Sequence, residues 1–381
     1  MNAATTIKES ILKCNRCGNC QYYCPSYTVS KMETHVARGR IQLVRKFLDD
    51  EKNFSEVFIK RINQCLLCGS CAHYCPAGVD VGGIIKETRE LFTDRLGPQQ
   101  PMEKTAKNIG EAGNITGDSR ENRLLWFQNM EAGAVKVGKP ADYVYFAGCV
   151  STLYPSSYNI PQTFASLLNR AGLNWSILGE KENCCAYPLF IGGMKEEAKK
   201  HIEENILGLK ALGAKNIVTT CPSCYYTWKD LYPHILPEVK DISIFHGTQL
   251  LAKLCREGAF KFKETNCTVT YHDPCDLGRK CGVYDEPRDV LHSIPGVKLV
   301  EMKHSRDGAV CCGGGGNLEM NDPDLGGKIA QLRVSQALDK KAEIIVTACQ
   351  QCKRTLSGGA RQMRARIKVM DLSEFMLGAI E

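Results

Sequence analysis

Cys14, Cys17 and Cys20 are spaced to place three thiolates on one tight loop, and Cys24 follows directly before Pro25. The same run recurs as Cys65, Cys68, Cys71 and Cys75-Pro76, at an offset of 51 residues. Three thiolates on one loop can take three corners of a 4Fe-4S cubane, and the cysteine before proline reaches the other cluster in two-cluster ferredoxins. The spacing therefore assigns Cys14, Cys17, Cys20 and Cys75 to one cubane, and Cys65, Cys68, Cys71 and Cys24 to the other. Structural zinc also uses C-x-x-C elements, but as separated pairs that close a tetrahedron. The chemistry implied is electron transfer.

Thirteen of the 21 cysteines lie outside those runs, and ten of them form two matching sets. Cys149 is followed by the adjacent pair Cys184-Cys185 and by Cys221-x-x-Cys224; Cys275 is followed by Cys311-Cys312 and by Cys349-x-x-Cys352. Adjacent side chains normally diverge, so both members of a pair can serve one site only if the backbone turns sharply. The run Gly313 to Gly316 after Cys311-Cys312 permits such a turn and a close backbone approach. A buried-core role suits free cysteines in general but does not explain two equal sets. A phosphate loop at the glycine run lacks the Lys-Ser/Thr and acidic residues such loops need. Cys255, Cys267 and Cys281 remain as non-ligands, and the odd total argues against a disulfide framework.

The elements that must position these thiols can be read from the apolar pattern. His35 to Asp49 suits an amphipathic helix, and another is expected through Ile84, Ile85, Thr88 and Leu91. Residues 1–95 are thus a small helical ferredoxin-type domain. Gly97 to Pro101 marks a boundary, and residues 96–140 read as a loosely packed linker. From residue 141 strands and helices alternate twice, giving two α/β halves at 141–262 and 263–381. Ile217-Val218-Thr219-Thr220-Cys221 is echoed by Ile345-Val346-Thr347-Ala348-Cys349 at an offset of 128, the mark of an internal duplication. The fold class expected is α+β multidomain: an α-helical two-cluster module, then two pseudo-symmetric α/β subdomains with mostly parallel sheets. In such sheets ligands gather at the carboxyl ends of strands, which is where the ten cysteines fall.

With 43% hydrophobic and 24% charged residues, the 381-residue chain has globular composition. No apolar run reaches the roughly 18–20 residues needed to cross a bilayer, and the amino terminus lacks the core of a secretory signal. A cytoplasmic setting, where thiols stay reduced and free to bind iron, is expected. The formal charge of +7 counts cysteines as neutral, so eighteen metal-bound thiolates would change it greatly. No basic run with interleaved aromatics points to nucleic acid. Lys and Arg near the clusters balance their charge or dock an acidic partner.

Two C-x-x-C-x-x-C-x-x-x-C-P runs followed by two CCG domains resemble the heterodisulfide reductase D-type subunit, a fusion of the C and B subunits of the soluble enzyme. The resemblance covers nearly the whole chain. It implies that Cys149, Cys184, Cys185, Cys221 and Cys224 hold one noncubane 4Fe-4S cluster. Cys275, Cys311, Cys312, Cys349 and Cys352 would hold the other, giving two cubane and two noncubane clusters in all. It also implies that electrons pass from the cubanes to the noncubane clusters, where a disulfide or related acceptor is cleaved. The first half departs from the family pattern at Cys184-Cys185-Ala186, where the second has Cys311-Cys312-Gly313; alanine is a mild change unless that backbone needs a positive φ. His272, in Tyr271-His272-Asp273-Pro274-Cys275, resembles the family and is a candidate donor to a cluster sulfur or to substrate, with Gly313 beside the cluster. No flavin or nicotinamide fingerprint is present, so the implied partners are a flavoprotein donor, of the heterodisulfide reductase A or electron-transfer-flavoprotein type, and other redox subunits, among them a membrane subunit on which it would dock. The same architecture resembles the iron-sulfur subunits of glycolate, lactate and glycerol-3-phosphate dehydrogenases, which relay electrons towards quinone. A metal-stabilised scaffold is the non-redox alternative.

Overall fold

The computed structural model describes residues 3–49 and 55–381. Residues 1, 2 and 50–54, including the start of the segment read for targeting signals, lie outside it. The amino-terminal module is helical. Ala37–Asp49 buries Ile41, Val44, Phe47 and Leu48 on one stripe, and Val81–Leu96 buries Ile84, Ile85 and Phe92 against it. Asp80 caps the second helix, accepting from the Gly83 amide at 2.9 Å.

Each later half contains a four-stranded parallel sheet. The first comprises β1 (Tyr143–Tyr145), β2 (Trp175–Ser176), β3 (Asn216–Thr219) and β4 (Ser243–His246), in the order β2-β1-β3-β4. The second comprises β5 (Cys267–His272), β6 (Val297–Leu299), β7 (Ile344–Thr347) and β8 (Lys368–Asp371), in the matching order β6-β5-β7-β8. Val218 pairs with Tyr145 and Val346 with Tyr271, so the duplication extends to strand register.

The halves pack reciprocally. The helix Asn159–Arg170, between β1 and β2, lies against the last helix, Leu372–Gly378, while Gly247–Arg256 of the first half lies against Glu286–His292 of the second. Tyr145 and Val218 from one sheet, with Phe164 of the helix Asn159–Arg170, share a core with Val269, Tyr271 and Val346 from the other sheet. This arrangement turns the carboxyl ends of both sheets towards one cleft.

Segment 96–140 is more firmly packed than its composition suggests. Met102–Ala112 is a helix with Met102 and Ile109 buried, and Arg120–Phe127 forms 3-10 turns that bury Arg123 and Trp126. Its few apolar residues are widely spaced and its other anchors are polar, so no strong periodic signal marks it. Among the described residues no helix is long and apolar enough to cross a membrane.

Candidate iron-sulfur centres and a shared cleft

The two amino-terminal cysteine loops wind alike. Arg16 and Gly18 in the first, and Leu67 and Gly69 in the second, take positive φ at matched positions, curling each backbone so that three thiols face inward. Tyr23 and Tyr74, each directly before the proline-linked cysteine, stack with ring centroids 3.9 Å apart. That stack joins the loops where Cys24 and Cys75 exchange sides. One cavity is lined by Cys14, Cys17, Cys20, Cys71 and Cys75; a second is lined by Cys24, Cys65, Cys68 and Cys71, so Cys71 borders both. Cys17 is exposed, whereas Cys24 and Cys68 are buried. The first cavity thus sits towards solvent and the second towards the α/β halves.

In the first half the five thiols form one hydrogen-bonded chain, Cys149 to Cys184 to Cys185 to Cys224 to Cys221. In the second half the order is the same: Cys275 to Cys311 to Cys312 to Cys352 to Cys349. The second member of each adjacent pair is the stronger acid. Donation from Cys184 brings Cys185 down to about 6, and donation from Cys311 holds Cys312 well below the usual thiol range. Cys224 and Cys352 are pushed well up because they donate to those two sulfurs. Cys221 and Cys349 each stand at the start of a helix, and the Cys349 sulfur accepts from the Cys352 amide at 3.3 Å. An all-sulfur donor set, crowded and sharing protons, fits iron-sulfur ligation better than oxygen-loving ions.

The adjacent pairs turn through a left-handed residue in both halves: φ is +63° at Ala186 and +94° at Gly313. The departure in the first half therefore falls where an L-residue is strained. At Gly313 a side chain is also barred by space, because a Cβ would meet the Gly326 carbonyl. A Cβ at Gly316 would run into the Cys65 carbonyl and Leu66. The glycine run is thus a contact between the second half and the second ferredoxin loop.

Buried cations tie these parts together, and no spacing in the sequence points to any of them. Arg89 donates to the carbonyls of Ile62 at 3.1 Å, Cys65 at 3.0 Å, Ile191 at 2.8 Å and Gly316 at 3.2 Å, binding the ferredoxin module to both halves. Arg279 Nε donates to the Cys68 carbonyl at 2.9 Å, and its Nη1 to those of Asp307 and Ala309 at 2.8 and 2.7 Å. Arg123, from the segment read as a linker, pairs with Glu182 at 3.1 Å and reaches the Cys149 sulfur at 3.3 Å. Glu182 in turn accepts from the amides of Ala147 and Gly148 at 3.1 and 2.9 Å, fixing the turn that presents Cys149. Such arginines lie far along the chain from what they touch, so only the fold reveals these contacts.

His272 is buried, with Nδ1 accepting from Arg333 Nε at 3.1 Å. That bond puts the ring proton on Nε2, which has no oxygen or nitrogen partner and faces the Cys312 sulfur. The donor atoms of His272, Cys312 and Cys352 lie within 4.8 Å of one another. Burial lowers the ring's proton affinity, keeping it neutral. The position that matches His272 in the first half is Phe146, directly after β1, so this donor belongs to one half alone.

Nine of the ten cysteines in the two sets, all but Cys311, line a single cleft of about 180 Å³. Hydrogen bonds join the halves across it: Gln350 Nε2 donates to the Ala147 carbonyl at 3.1 Å and to Thr220 Oγ1 at 3.0 Å, and Asp276 accepts from Ser223 Oγ at 2.7 Å and from the Tyr187 hydroxyl at 3.3 Å. Cys255, Cys267 and Cys281 line none of the three thiol-rich cavities.

A two-loop cysteine module joined to paired α/β halves with thiols at one cleft defines an iron-sulfur oxidoreductase component. Residues 10–79 match the 4Fe-4S dicluster domain, and residues 143–229 and 269–357 each match the cysteine-rich CCG domain. The chain is 33% identical to the D-type subunit of the dihydromethanophenazine:CoB–CoM heterodisulfide reductase of Methanosarcina barkeri, over 96% of this chain and 93% of that protein. It belongs to the family of heterodisulfide reductase D-type subunits. It is also 27% identical to the EtfAB:quinone oxidoreductase of Syntrophomonas wolfei, over 97% of this chain and 58% of that protein. A crystal structure of a hypothetical protein from Helicobacter pylori shares the fold, with a TM-score of 0.61 at 12% identity, over 98% of this chain and 72% of that one.

Proposed function

We propose that this protein takes electrons from a flavoprotein at its amino-terminal module and reduces a disulfide or related acceptor in the shared cleft. When bound, two cubane and two noncubane 4Fe-4S clusters would carry single electrons inward and offer iron to both sulfurs of the acceptor. The eight amino-terminal cysteines would hold the cubanes in the crossed pattern, and each five-cysteine set a noncubane cluster. Arg123 and Arg279 orient Cys149 and Cys68, and their charge offsets that of neighbouring thiolates. His272 Nε2, facing the Cys312 sulfur, would donate to a sulfur of the cluster held there or to substrate. The domain limits proposed are 1–95, 141–262 and 263–381, with 96–140 joining them.

One observation carries the reading: nine of the ten cysteines in the two sets, drawn from both halves, open into the same cleft. A protein that only passed electrons along would need one path, whereas a disulfide offers one sulfur to each half. The likeness to the EtfAB:quinone oxidoreductase favours a second reading, in which the chain relays electrons from an electron-transfer flavoprotein towards quinone. Anaerobic purification with iron and sulfide analysis, followed by reduction and addition of either a disulfide or a quinone, separates the two. Oxidation by the disulfide supports the first reading, and oxidation by quinone alone supports the second.

A further inference from the structure

We infer that a second cavity, between the second ferredoxin loop and the first α/β half, binds an aromatic electron carrier with one anionic group, of the sulfonated or carboxylated quinone class, and passes electrons to it. The inference rests on electron transfer through the ferredoxin module and not on disulfide reduction in the shared cleft.

The cavity measures about 620 Å³, a size that suits a small ligand, and no cysteine lines it. It meets the cavity of Cys24, Cys65, Cys68 and Cys71 at a common wall of Leu67, Gly69 and Gly82. Two of those three residues lack a side chain, and a Cβ at Gly69 would meet no atom within 4 Å. The wall is there only a backbone thick, so a flat ring can come close to the second ferredoxin loop. Phe190, Tyr226, Leu231 and Ile235 give the cavity an apolar, partly aromatic surface on which such a ring can rest. Tyr226 precedes and Leu231 ends a π-helical turn, Thr227–Leu231, a geometry that recurs at functional sites.

The charges lining the cavity point to an anion. Lys86 is half-buried and has neither a hydrogen bond nor an ion pair among the described residues. Burial lowers its pKa, with the like charge of Lys280 adding to the effect, so an anion beside it would offset that cost. The other cations are engaged or in solvent: Lys195 pairs with Glu90 at 2.5 Å and Lys280 with Asp276 at 2.6 Å, while Lys199 and His234 are exposed. Among the carboxylates, Asp80 is engaged with the Gly83 amide, Glu87 is pushed up by burial towards its neutral form, and Glu196 is exposed.

The transfer is a two-electron reduction. The two carbonyls of the quinone take two electrons and two protons and become the two hydroxyls of a hydroquinone. The electrons leave the ferredoxin module singly, resupplied by the reduced flavoprotein, and the protons come from water.

The test uses the complete anaerobic protein and two ring compounds of similar size: anthraquinone-2-sulfonate, an anion, and 2-(hydroxymethyl)anthraquinone, which is uncharged. Calorimetric titration of the oxidised protein should show the anion bound about tenfold or more tightly than the neutral ring. Lys86→Met should erase that difference with iron and sulfide content unchanged, Lys86→Arg should keep it, and Ile235→Trp, which fills the cavity, should weaken both compounds. Mixed with photoreduced protein, limiting anthraquinone-2-sulfonate should reoxidise the parent about tenfold faster than Lys86→Met. Absence of binding, binding indifferent to Lys86→Met and Ile235→Trp, or binding without reoxidation overturns the inference. Disulfide turnover, measured separately, stands or falls independently of these results.

Discussion

The Cys68 thiol hydrogen-bonds to the Cys311 thiol, so the second ferredoxin loop meets the adjacent-cysteine turn of the second half sulfur to sulfur. The bond brings Cys68 down to about 6, with the Arg279 charge adding to the effect against the cost of burial. No matching contact joins the ferredoxin loops to the first cysteine set among the described residues. In the proposed function this junction is where electrons would enter the second half.

Arg279 holds this junction by three carbonyl contacts. Arg279→Ala should leave the amino-terminal module reducible but slow its reoxidation by a disulfide about tenfold, a barrier change of roughly 1.4 kcal/mol. Stopped-flow absorbance after reduction reads the rate. An unchanged rate would show that electrons do not cross at Cys68.

Ala186 carries a backbone penalty that glycine would not. Ala186→Gly should stabilise the folded protein by about 1 kcal/mol, since left-handed geometry costs an L-residue roughly 1–2 kcal/mol. Anaerobic denaturant unfolding measures it. A loss of stability would mean that the buried Ala186 methyl contributes more by packing than its φ costs.

Asp371 is buried with Oδ1 accepting from the Ser373 amide at 2.9 Å and hydroxyl at 2.7 Å, while Oδ2 has no partner. Burial, with the Glu374 charge adding, raises its pKa to about 7. A carboxyl raised on folding contributes stability that is full below its unfolded pKa and is lost as pH rises through the folded value. Asp371→Asn should therefore be more stable than the parent at pH 8, by about 1 kcal/mol or more, with the advantage shrinking towards pH 5. Thermal unfolding across that range checks the sign, and an advantage that grew on acidification would refute it.

Cys255, Cys267 and Cys281 stand apart from every thiol cavity, and Cys281 instead contacts Asp230 at 3.7 Å. Replacing each with serine should leave iron and sulfide content unchanged. Loss of about four irons from any soluble, folded variant would add that residue to a ligand set.

The cysteine spacing made the two loops, the two five-cysteine sets and the duplication legible, because thiol chemistry demands short fixed intervals and parallel strands demand apolar runs such as Ile344 to Thr347. The shared cleft followed from the duplication. The contacts that orient the thiols did not. Arg89, Arg123 and Arg279 act across tens to hundreds of residues, and a buried arginine looks in sequence like any surface one. Segment 96–140 was obscure for a related reason: its order comes from Arg123 and Trp126 reaching neighbours, not from a repeating apolar face. The strain at Ala186 was flagged by the Cys-Cys-Ala departure, but only the backbone showed its sign.

Both five-cysteine sets are expected to act on one acceptor. Cys224 and Cys352 occupy matched positions, 128 residues apart, so Cys224→Ala and Cys352→Ala damage the two halves equivalently. The decisive measurement is disulfide turnover by each variant under reduced viologen, alongside electron paramagnetic resonance of the reduced ferredoxin module. Either substitution alone should bring turnover down to the uncatalysed rate while the ferredoxin signal still forms. Full turnover by Cys224→Ala, in folded protein lacking the iron of its first set, would contradict the two-site mechanism and leave the relay reading in its place.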